Sequence, residues 1–109
     1  MIRYIKDHAA NDSGAWAPAD GVGGVLTHTA QALSISGTIT GTASLYGTND
    51  PMVDAVGTLI CSFAFTAAAS GDRATPVFSE HTWEYVRSEV SGLSGSGAGP
   101  RIRITVSGS

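Results

Sequence analysis

Histidine, cysteine and carboxylate side chains are the groups in this sequence that could bind a metal ion, and their spacing does not favour one. His8, His28 and His81 lie far apart along the chain, and Cys61 is the only cysteine. Structural zinc sites draw on closely spaced pairs such as C-x2-C or H-x3-H. Cys61 lies in the apolar run LICSF at residues 59–63, where a free thiol packs as a small apolar side chain. We therefore predict no metal site, no cofactor and no intramolecular disulfide.

The acidic and serine residues do not form a recognisable catalytic motif. Asp50 and Asp54 flank a proline, but calcium loops carry a denser pattern of oxygen ligands, so we favour a solvated turn. Glu80, Glu84 and Glu89 lie near aromatic residues, yet a glycosidase with paired carboxylates needs a larger cleft than 109 residues can fold. No serine occurs in a G-x-S-x-G motif. The run GVGGVL at residues 21–26 has leucine where a dinucleotide fingerprint requires its third glycine. We predict that the protein is not an enzyme.

Three aromatic residues, Trp16, Trp83 and Tyr85, could contact a ligand. Exposed aromatic rings stack on sugars, which would make the protein a carbohydrate-binding module. In a chain with few aromatic residues, however, Trp83 and Tyr85 are expected to pack in the core. Trp16 lies close to Pro18 in a loop, and an aromatic residue on a loop can anchor in a pocket of a partner protein. We predict an interface formed by Ile2, Tyr4, Trp16, Pro18 and Val22.

The elements that must position these residues are β-strands, because apolar residues recur with a period of two. One such series consists of Leu33, Ile35, Ile39, Ala43 and Leu45. Serine and threonine occupy most of the positions between them, which predicts one or two half-buried strands, interrupted at Gly37 or Gly41. Near the end of the chain, Ile102, Ile104 and Val106 alternate with polar residues and predict a further strand.

The central part of the chain predicts two more strands and a hairpin. Residues 59–65 carry apolar side chains on both parities, which predicts a strand covered on both faces, by the second sheet and by a loop or a neighbouring subunit. In residues 83–90 we expect Val86 and Val90 to face the core. The glycine-rich stretch at residues 92–100 stands between two strands and predicts a hairpin with a long tip.

These patterns together predict the fold class. No segment shows the i, i+3, i+4, i+7 spacing of an amphipathic helix, and we expect roughly six to eight short strands separated by turns. The sequence therefore predicts a single-domain antiparallel β-sandwich, jelly-roll-like, over residues 1–109, with a loosely structured N-terminal region. Residues 12–24 are rich in glycine, alanine and proline. We expect residues 1–24 to form an attachment arm that orders against a neighbouring subunit.

Composition and charge exclude some partners. The net charge is −3, charged residues make up 14% of the chain, and the six basic residues are scattered. Proteins that bind nucleic acid or acidic membranes cluster their basic residues, so we predict neither partner. No apolar run approaches the roughly 18 residues of a membrane helix, and the charged N-terminus does not resemble a signal peptide. We expect a soluble protein made in the cytoplasm.

Two stretches resemble a known class of proteins. The sequence SLYGTND at residues 44–50 is similar to the strand followed by a Tyr-Gly-Ser-Asn-Asp turn of small virion proteins of tailed bacteriophages. The sequence HTWEYVR at residues 81–87, the glycines that follow it and the closing strand RIRITV resemble the ending of the same proteins. The resemblance covers residues 33–107. Similar endings also occur in jelly-roll modules that bind sugars.

The resemblance implies a β-sandwich with a structural role in a virion of a tailed bacteriophage. Our leading hypothesis is a capsid decoration, or cement, protein that binds the lattice of the major capsid protein. The alternatives are a tail or neck component and a carbohydrate-binding module at a tail tip. The partners would be the major capsid protein or other virion proteins, with the chain forming a homo-oligomer or a lattice-bound subunit. We expect it in the virion after synthesis in the host cytoplasm.

Overall fold

The described part of the chain folds into eight β-strands. The computed structural model describes residues 2–18, 26–79 and 83–108, and within these ranges it contains no helix. The strands, in chain order, are β1 (Ile2–His8), β2 (Ala17–Pro18), β3 (Leu26–Leu33), β4 (Thr38–Thr48), β5 (Thr58–Ala69), β6 (Val77–Ser79), β7 (Tyr85–Gly95) and β8 (Arg101–Gly108). Their number agrees with the expectation from the alternating pattern.

The strands form two antiparallel sheets of four. Sheet A has the order β1-β8-β3-β6, and sheet B has the order β2-β7-β4-β5. The pairing is nested, because β1 pairs with β8, β2 with β7, β3 with β6 and β4 with β5. A long hairpin rolled up on itself gives this nesting, which is the arrangement of an eight-stranded jelly roll. The predicted antiparallel, jelly-roll-like β-sandwich is confirmed. The radius of gyration of 13.7 Å is close to the value of about 13 Å expected for one compact domain of this length.

The core lies between the two sheets and is built from their inward-facing residues. Ile102, Ile104 and Val106 of β8 are fully buried, as their spacing predicted. Val86 and Val90 of β7 also face the core, as predicted. The other buried apolar residues are Tyr4, Leu26, Ala30, Ala32, Ile39, Ala43, Leu45, Cys61, Phe63 and Phe65. Because these side chains come from both sheets, the core depends on their face-to-face packing.

The turn between β3 and β4 carries the chain from one sheet to the other. Gly37 has a φ of +76°, a left-handed conformation that favours glycine, so the predicted interruption at this residue is confirmed. Ile35 was expected on a buried face, but it lies in this turn and is 86% exposed. Leu33 is only half-buried, because the even-numbered residues form the buried face of β3. Even-numbered residues face the core in β3, whereas the buried residues of β4 are mainly odd-numbered.

Strand β5 is covered on one face only. Phe63 and Phe65 are buried, whereas Ser62 and Ala64 between them are exposed. Cover of this outer face by a loop is therefore not found among the described residues, whereas cover by a neighbouring subunit stays a prediction. In a two-layer sandwich only the inner face of each sheet packs against the other sheet, and the alanines of β5 are small enough to remain on the outer face.

The glycine-rich stretch after β7 is not a hairpin. Strand β7 pairs with β4 in sheet B, and β8 pairs with β3 in sheet A. The connection at residues 96–100 therefore crosses from one sheet to the other. The hairpin prediction is wrong because the nested jelly-roll pairing matches each strand with a partner distant in sequence.

The N-terminal segment belongs to the body of the sandwich. Strand β1 pairs with β8 along residues 2–8, and its Tyr4 and His8 side chains are buried. After β1, the chain crosses to sheet B, where the Gly14 amide donates to the Ser88 carbonyl and the Val90 amide donates to the Asp12 carbonyl. Residues 2–18 are thus not the loosely structured region that we expected. Residues 19–24, which complete the proposed arm, lie outside the described residues.

Candidate functional site

The loop between β4 and β5 is ordered by hydrogen bonds from its own aspartates. The Asp50 carbonyl accepts the amides of Val53 and Asp54, at 3.2 and 2.8 Å, and the Asp50 carboxylate accepts the Met52 amide at 3.0 Å. The Asp54 carboxylate accepts the Gly57 amide at 3.0 Å. These bonds satisfy the backbone of a tight turn that begins at a proline. Asp50 and Asp54 therefore act as capping residues in residues 49–57, which we call the β4–β5 loop.

Two side chains from outside the loop hold its second half. The indole Nε1 of Trp16 donates to the Ala55 carbonyl at 3.0 Å, and Nη2 of Arg87 donates to the Val56 carbonyl at 2.7 Å. Gly57 has a φ of +84°, and a Cβ atom there would lie 2.5 Å from the Trp16 ring. The close approach of Trp16 and the left-handed backbone both require glycine at this position.

Arg87 joins the loop to the outer face of sheet B. Its guanidinium lies 4.3 Å from the centre of the Tyr46 ring and 5.2 Å from that of Trp16, within cation–π range. It also forms an ion pair with Glu89 at 3.1 Å. Hydrogen bonds lower the pKa of the Glu89 carboxyl, and the bond from Ser13 has a larger effect than the bond from Arg87. Only 11% of the Arg87 side chain is exposed, so this cation supports the loop and leaves little charge for a partner.

The ordered loop presents apolar side chains to solvent. Met52 is 92% exposed, Val53 is 85% exposed and Val56 is 69% exposed. The first residues of β5 extend this surface through the exposed side chain of Leu59. Several exposed apolar side chains close together in the sequence of an ordered element are candidates for a binding site. We call Met52, Val53, Val56 and Leu59 the apolar surface of the loop.

A groove and an acidic rim adjoin the apolar surface. The groove has a volume of about 410 Å³ and is lined by Thr58, Leu59, Ile60, Ser79 and Trp83. Three exposed carboxylates lie at the same end of the sandwich: those of Asp50 and Asp54 in the loop and that of Glu84, whose amide donates to Asn49. This end of the described chain therefore combines an apolar centre with negative charge.

A second group of polar residues lies buried between the sheets. His8 Nε2 is 2.6 Å from the hydroxyl of Ser88, and His8 Nδ1 is hydrogen-bonded to the carboxylate of Asp12. The Tyr4 hydroxyl lies 2.8 Å from the same serine. The order serine, histidine, aspartate is that of a hydrolase triad. Ser88 and His8 are completely buried, however, and Tyr4 contacts the same hydroxyl, so the described residues leave the serine no surface for a substrate.

The other histidine and the cysteine in the core are also structural. His28 is fully buried, and its Nε2 is 2.9 Å from the Ser79 hydroxyl. Burial lowers the pKa of His28 and favours its neutral form. Burial raises the pKa of the Cys61 thiol to about 11, which keeps it protonated and unreactive, in agreement with its predicted role as a core residue. Among the described residues, no three side chains of the metal-binding types form a cluster. His81 lies outside these residues.

The described interface residues lie at different places in the sandwich, and their role in binding stays a prediction. Tyr4 is a core residue, and Ile2 lies in β1 opposite Ser107. Pro18 is exposed in β2, paired with Tyr85. Trp16 is half-buried, and its indole binds the chain's own loop. Val22 lies outside the described residues.

The sequence contained a signal for the β4–β5 loop that the strand pattern did not reveal. Its residues 49–57 read NDPMVDAVG, so that three large apolar residues stand in a segment otherwise typical of a turn. A turn exposes most of its side chains. Apolar residues in a turn are therefore candidates for binding. Whether they form a site depends on how far the folded chain leaves their side chains exposed.

Comparisons with known proteins do not assign the chain to a family. No family model matches. No curated protein matches the sequence either. The part of the chain that the structure describes has no helix that is long and apolar enough to cross a membrane.

Proposed function

We propose that this protein is a structural component of a tailed bacteriophage particle, a capsid decoration protein that binds the lattice of the major capsid protein through its β4–β5 loop. The observation that carries the proposal is the exposure of Met52, Val53 and Val56 on an ordered loop. These side chains gain little from the chain's own core, and burying them against a partner would remove apolar surface from water.

The order of the loop favours binding. A loop that is disordered in the free protein loses conformational entropy when it binds, which weakens the complex. Here the aspartate caps and the bonds from Trp16 and Arg87 fix the backbone before a partner arrives. The apolar side chains can therefore enter a complementary pocket without reorganisation of the loop.

The fold and the resemblance to phage proteins are consistent with this role. Jelly rolls occur in viral capsid proteins and in lectins. The stretch that resembles virion proteins covers residues 33–107, which include strands β4, β5, β7 and β8. A tail or neck component would use the same loop and differ only in its partner and copy number.

The carbohydrate-binding alternative has less support from the aromatic residues. Stacking on a sugar needs an open ring face. The Arg87 guanidinium covers part of both the Trp16 and the Tyr46 rings, and both side chains are half-buried. The exposed surface of the loop is aliphatic, which suits a protein partner better than a glycan.

The first experiment is quantitative mass spectrometry of purified particles from the source culture. A copy number close to that of the major capsid protein would support a decoration protein. A much lower number would overturn the decoration role and favour the tail or neck. If the chain is absent from the particles, the virion proposal fails, and a glycan-binding screen would test the sugar-binding alternative.

A matched pair of variants tests the loop itself. Val53→Asp places a charge in the apolar surface, and Ile35→Asp places the same charge at an equally exposed apolar residue. Ile35 precedes β4 and the loop follows it, so the two substitutions lie at opposite ends of the sandwich. We expect V53D to lose binding to particles that lack this protein, and I35D to retain it. Equal binding by both variants would exclude the loop as the attachment surface.

A further inference from the structure

The two sheets have four edge strands, and three of them carry features that discourage pairing with another chain. Strand β1 carries Lys6 and Asp7, and charged side chains at an edge oppose the addition of a further strand. Strand β2 has only two residues, one of which is Pro18. Strand β6 has only three residues and follows Pro76. Short strands and prolines limit edge pairing in the same way.

The fourth edge, β5, lacks these features. It is one of the longest strands, with 12 residues from Thr58 to Ala69, and it contains no charged residue, proline or glycine. It pairs with β4 on one side, and no other described strand pairs with it. Within the described parts of the chain, the backbone groups on its outer side are therefore open to pairing with another strand.

The outward-facing side chains of β5 permit close approach. Ser62, Ala64 and Thr66 are exposed and small, whereas the larger Phe63 and Phe65 point into the core. The hydroxyl of Ser62 is already bonded to Ser44 of the neighbouring strand at 3.0 Å. A strand added at this edge would meet small side chains that need no rearrangement.

Irregularities at both ends limit the length of this edge. The pairing of β4 with β5 shifts register between Leu45 and Tyr46 and again between Ile39 and Gly41. Near the second shift, Ala67 has a φ of +48°, which is unusual for a residue other than glycine. The regular part of the edge is therefore residues 61–65, and bulges interrupt the ladder on either side of it.

We propose that residues 61–65 of β5 pair in antiparallel fashion with the same residues of a second copy of this chain, joining two B sheets into one eight-stranded sheet. Charge favours a neutral partner strand, and β5 of a second copy is such a strand. The strand is neutral, so pairing it with itself opposes no like charges. Arg73 is the one charged residue that lines the adjoining groove, and the groove thus offers little to attract a strongly charged strand.

The proposed pairing closes on itself. A two-fold axis places the same edge of both copies in one interface, so each copy uses its β5 edge completely and no free β5 edge remains for a third. This interface is separate from the proposed function, because residues 61–65 do not include the β4–β5 loop. A failure of particle binding would not affect it.

Sedimentation equilibrium of the purified chain tests this proposal. We expect a monomer–dimer equilibrium at concentrations up to ~1 mM, where weak specific pairs associate. Ala64→Lys, which places a cation at the edge, should raise the dissociation constant by about tenfold or more. Ser91→Lys is the matched control, since it adds the same charge to an exposed residue of β7, an interior strand of the same sheet, and should leave the dimer unchanged.

Two results would overturn the proposal. One is a wild-type chain that remains monomeric over the whole range. The other is a dimer that A64K does not weaken while the variant retains wild-type urea unfolding. If A64K fails to fold, hydrogen exchange of β5 in the wild-type chain tests the pairing instead. The amides of residues 61–65 that point away from β4 should exchange more slowly as the protein concentration rises, and exchange of these amides independent of concentration would refute the pairing.

Discussion

Ser88 is the residue on which the contact between β1 and β7 depends. Its hydroxyl is the shared hydrogen-bond partner of Tyr4 and His8, and all three side chains are buried. Buried polar groups are tolerated when every member of the network is satisfied, and losing one member leaves the others without partners. The single serine therefore keeps two larger polar side chains compatible with the core.

The first prediction concerns this serine. Ser88→Ala removes the partner of both Tyr4 and His8, and we expect it to lower the free energy of unfolding by about 1–3 kcal/mol, the cost of leaving buried polar groups unsatisfied. Urea unfolding measures the change. Ser91→Ala, in the same strand but exposed, is the control and should be nearly neutral. A neutral S88A would mean that the network contributes nothing to stability.

The second prediction is a pH dependence that arises from His28. Because its pKa is lowered in the folded state from the ordinary value of 6.5, the unfolded chain binds the proton more tightly than the folded one. Stability is therefore highest above pH 6.5 and falls as the pH drops below that value towards the folded-state pKa. Urea unfolding from pH 8 to pH 5 measures this loss. His28→Gln should reduce the slope, and an unchanged slope would assign the pH dependence to other groups.

At the scale of the elements, the β4–β5 loop depends on residues distant in sequence. Asp50 and Asp54 cap the turn locally, but the second half of the loop is held by Trp16, which precedes β2, and by Arg87 in β7. The segment that contains Trp16 and strand β7 are thus both bonded to the loop. Its order is a property of the assembled sheet, and not of residues 49–57 alone.

The third prediction tests this anchoring. Trp16→Phe retains an aromatic ring near Arg87 but removes the donor to the Ala55 carbonyl. We expect the protection of the Gly57 amide against hydrogen exchange to fall by about 1 kcal/mol, the typical net value of one hydrogen bond. The amide of Ile104 in β8 serves as an internal reference and should not change. Unchanged protection at Gly57 would show that Arg87 and the aspartate caps suffice.

The strands could be predicted from the sequence, whereas their partners could not. Alternation placed Ile102 and Ile104 in the core correctly, because inward and outward positions are a local property of a strand. The hairpin predicted between β7 and β8 was wrong because jelly-roll pairing is non-local. Trp16 was predicted as an interface residue, which stays a prediction. Its bond to Ala55 spans 39 positions of the sequence, and no local pattern could indicate it. The exposure of Met52 likewise follows from the assembled fold.

At the scale of the whole molecule, β1 completes the sandwich. It is the edge of sheet A and pairs with the last strand of the chain, so that the two ends of the sequence are neighbours. It also supplies Tyr4 and His8 to the network with Ser88 in sheet B. Removing β1 would expose one side of β8, whose Ile102, Ile104 and Val106 are all fully buried.

The fourth prediction distinguishes an integral strand from an attachment arm. We expect a chain without residues 1–18 to lose cooperative thermal unfolding, because it lacks an edge strand and leaves the Ser88 hydroxyl buried without its partners. Circular dichroism and urea unfolding measure the loss. The control is Ile5→Ser, which changes an exposed residue of the same strand and should stay folded. If instead the truncated chain folds cooperatively and only loses binding to particles, the N-terminal segment is the arm that its composition first indicated, and β1 contributes more to attachment than to the stability of the sandwich.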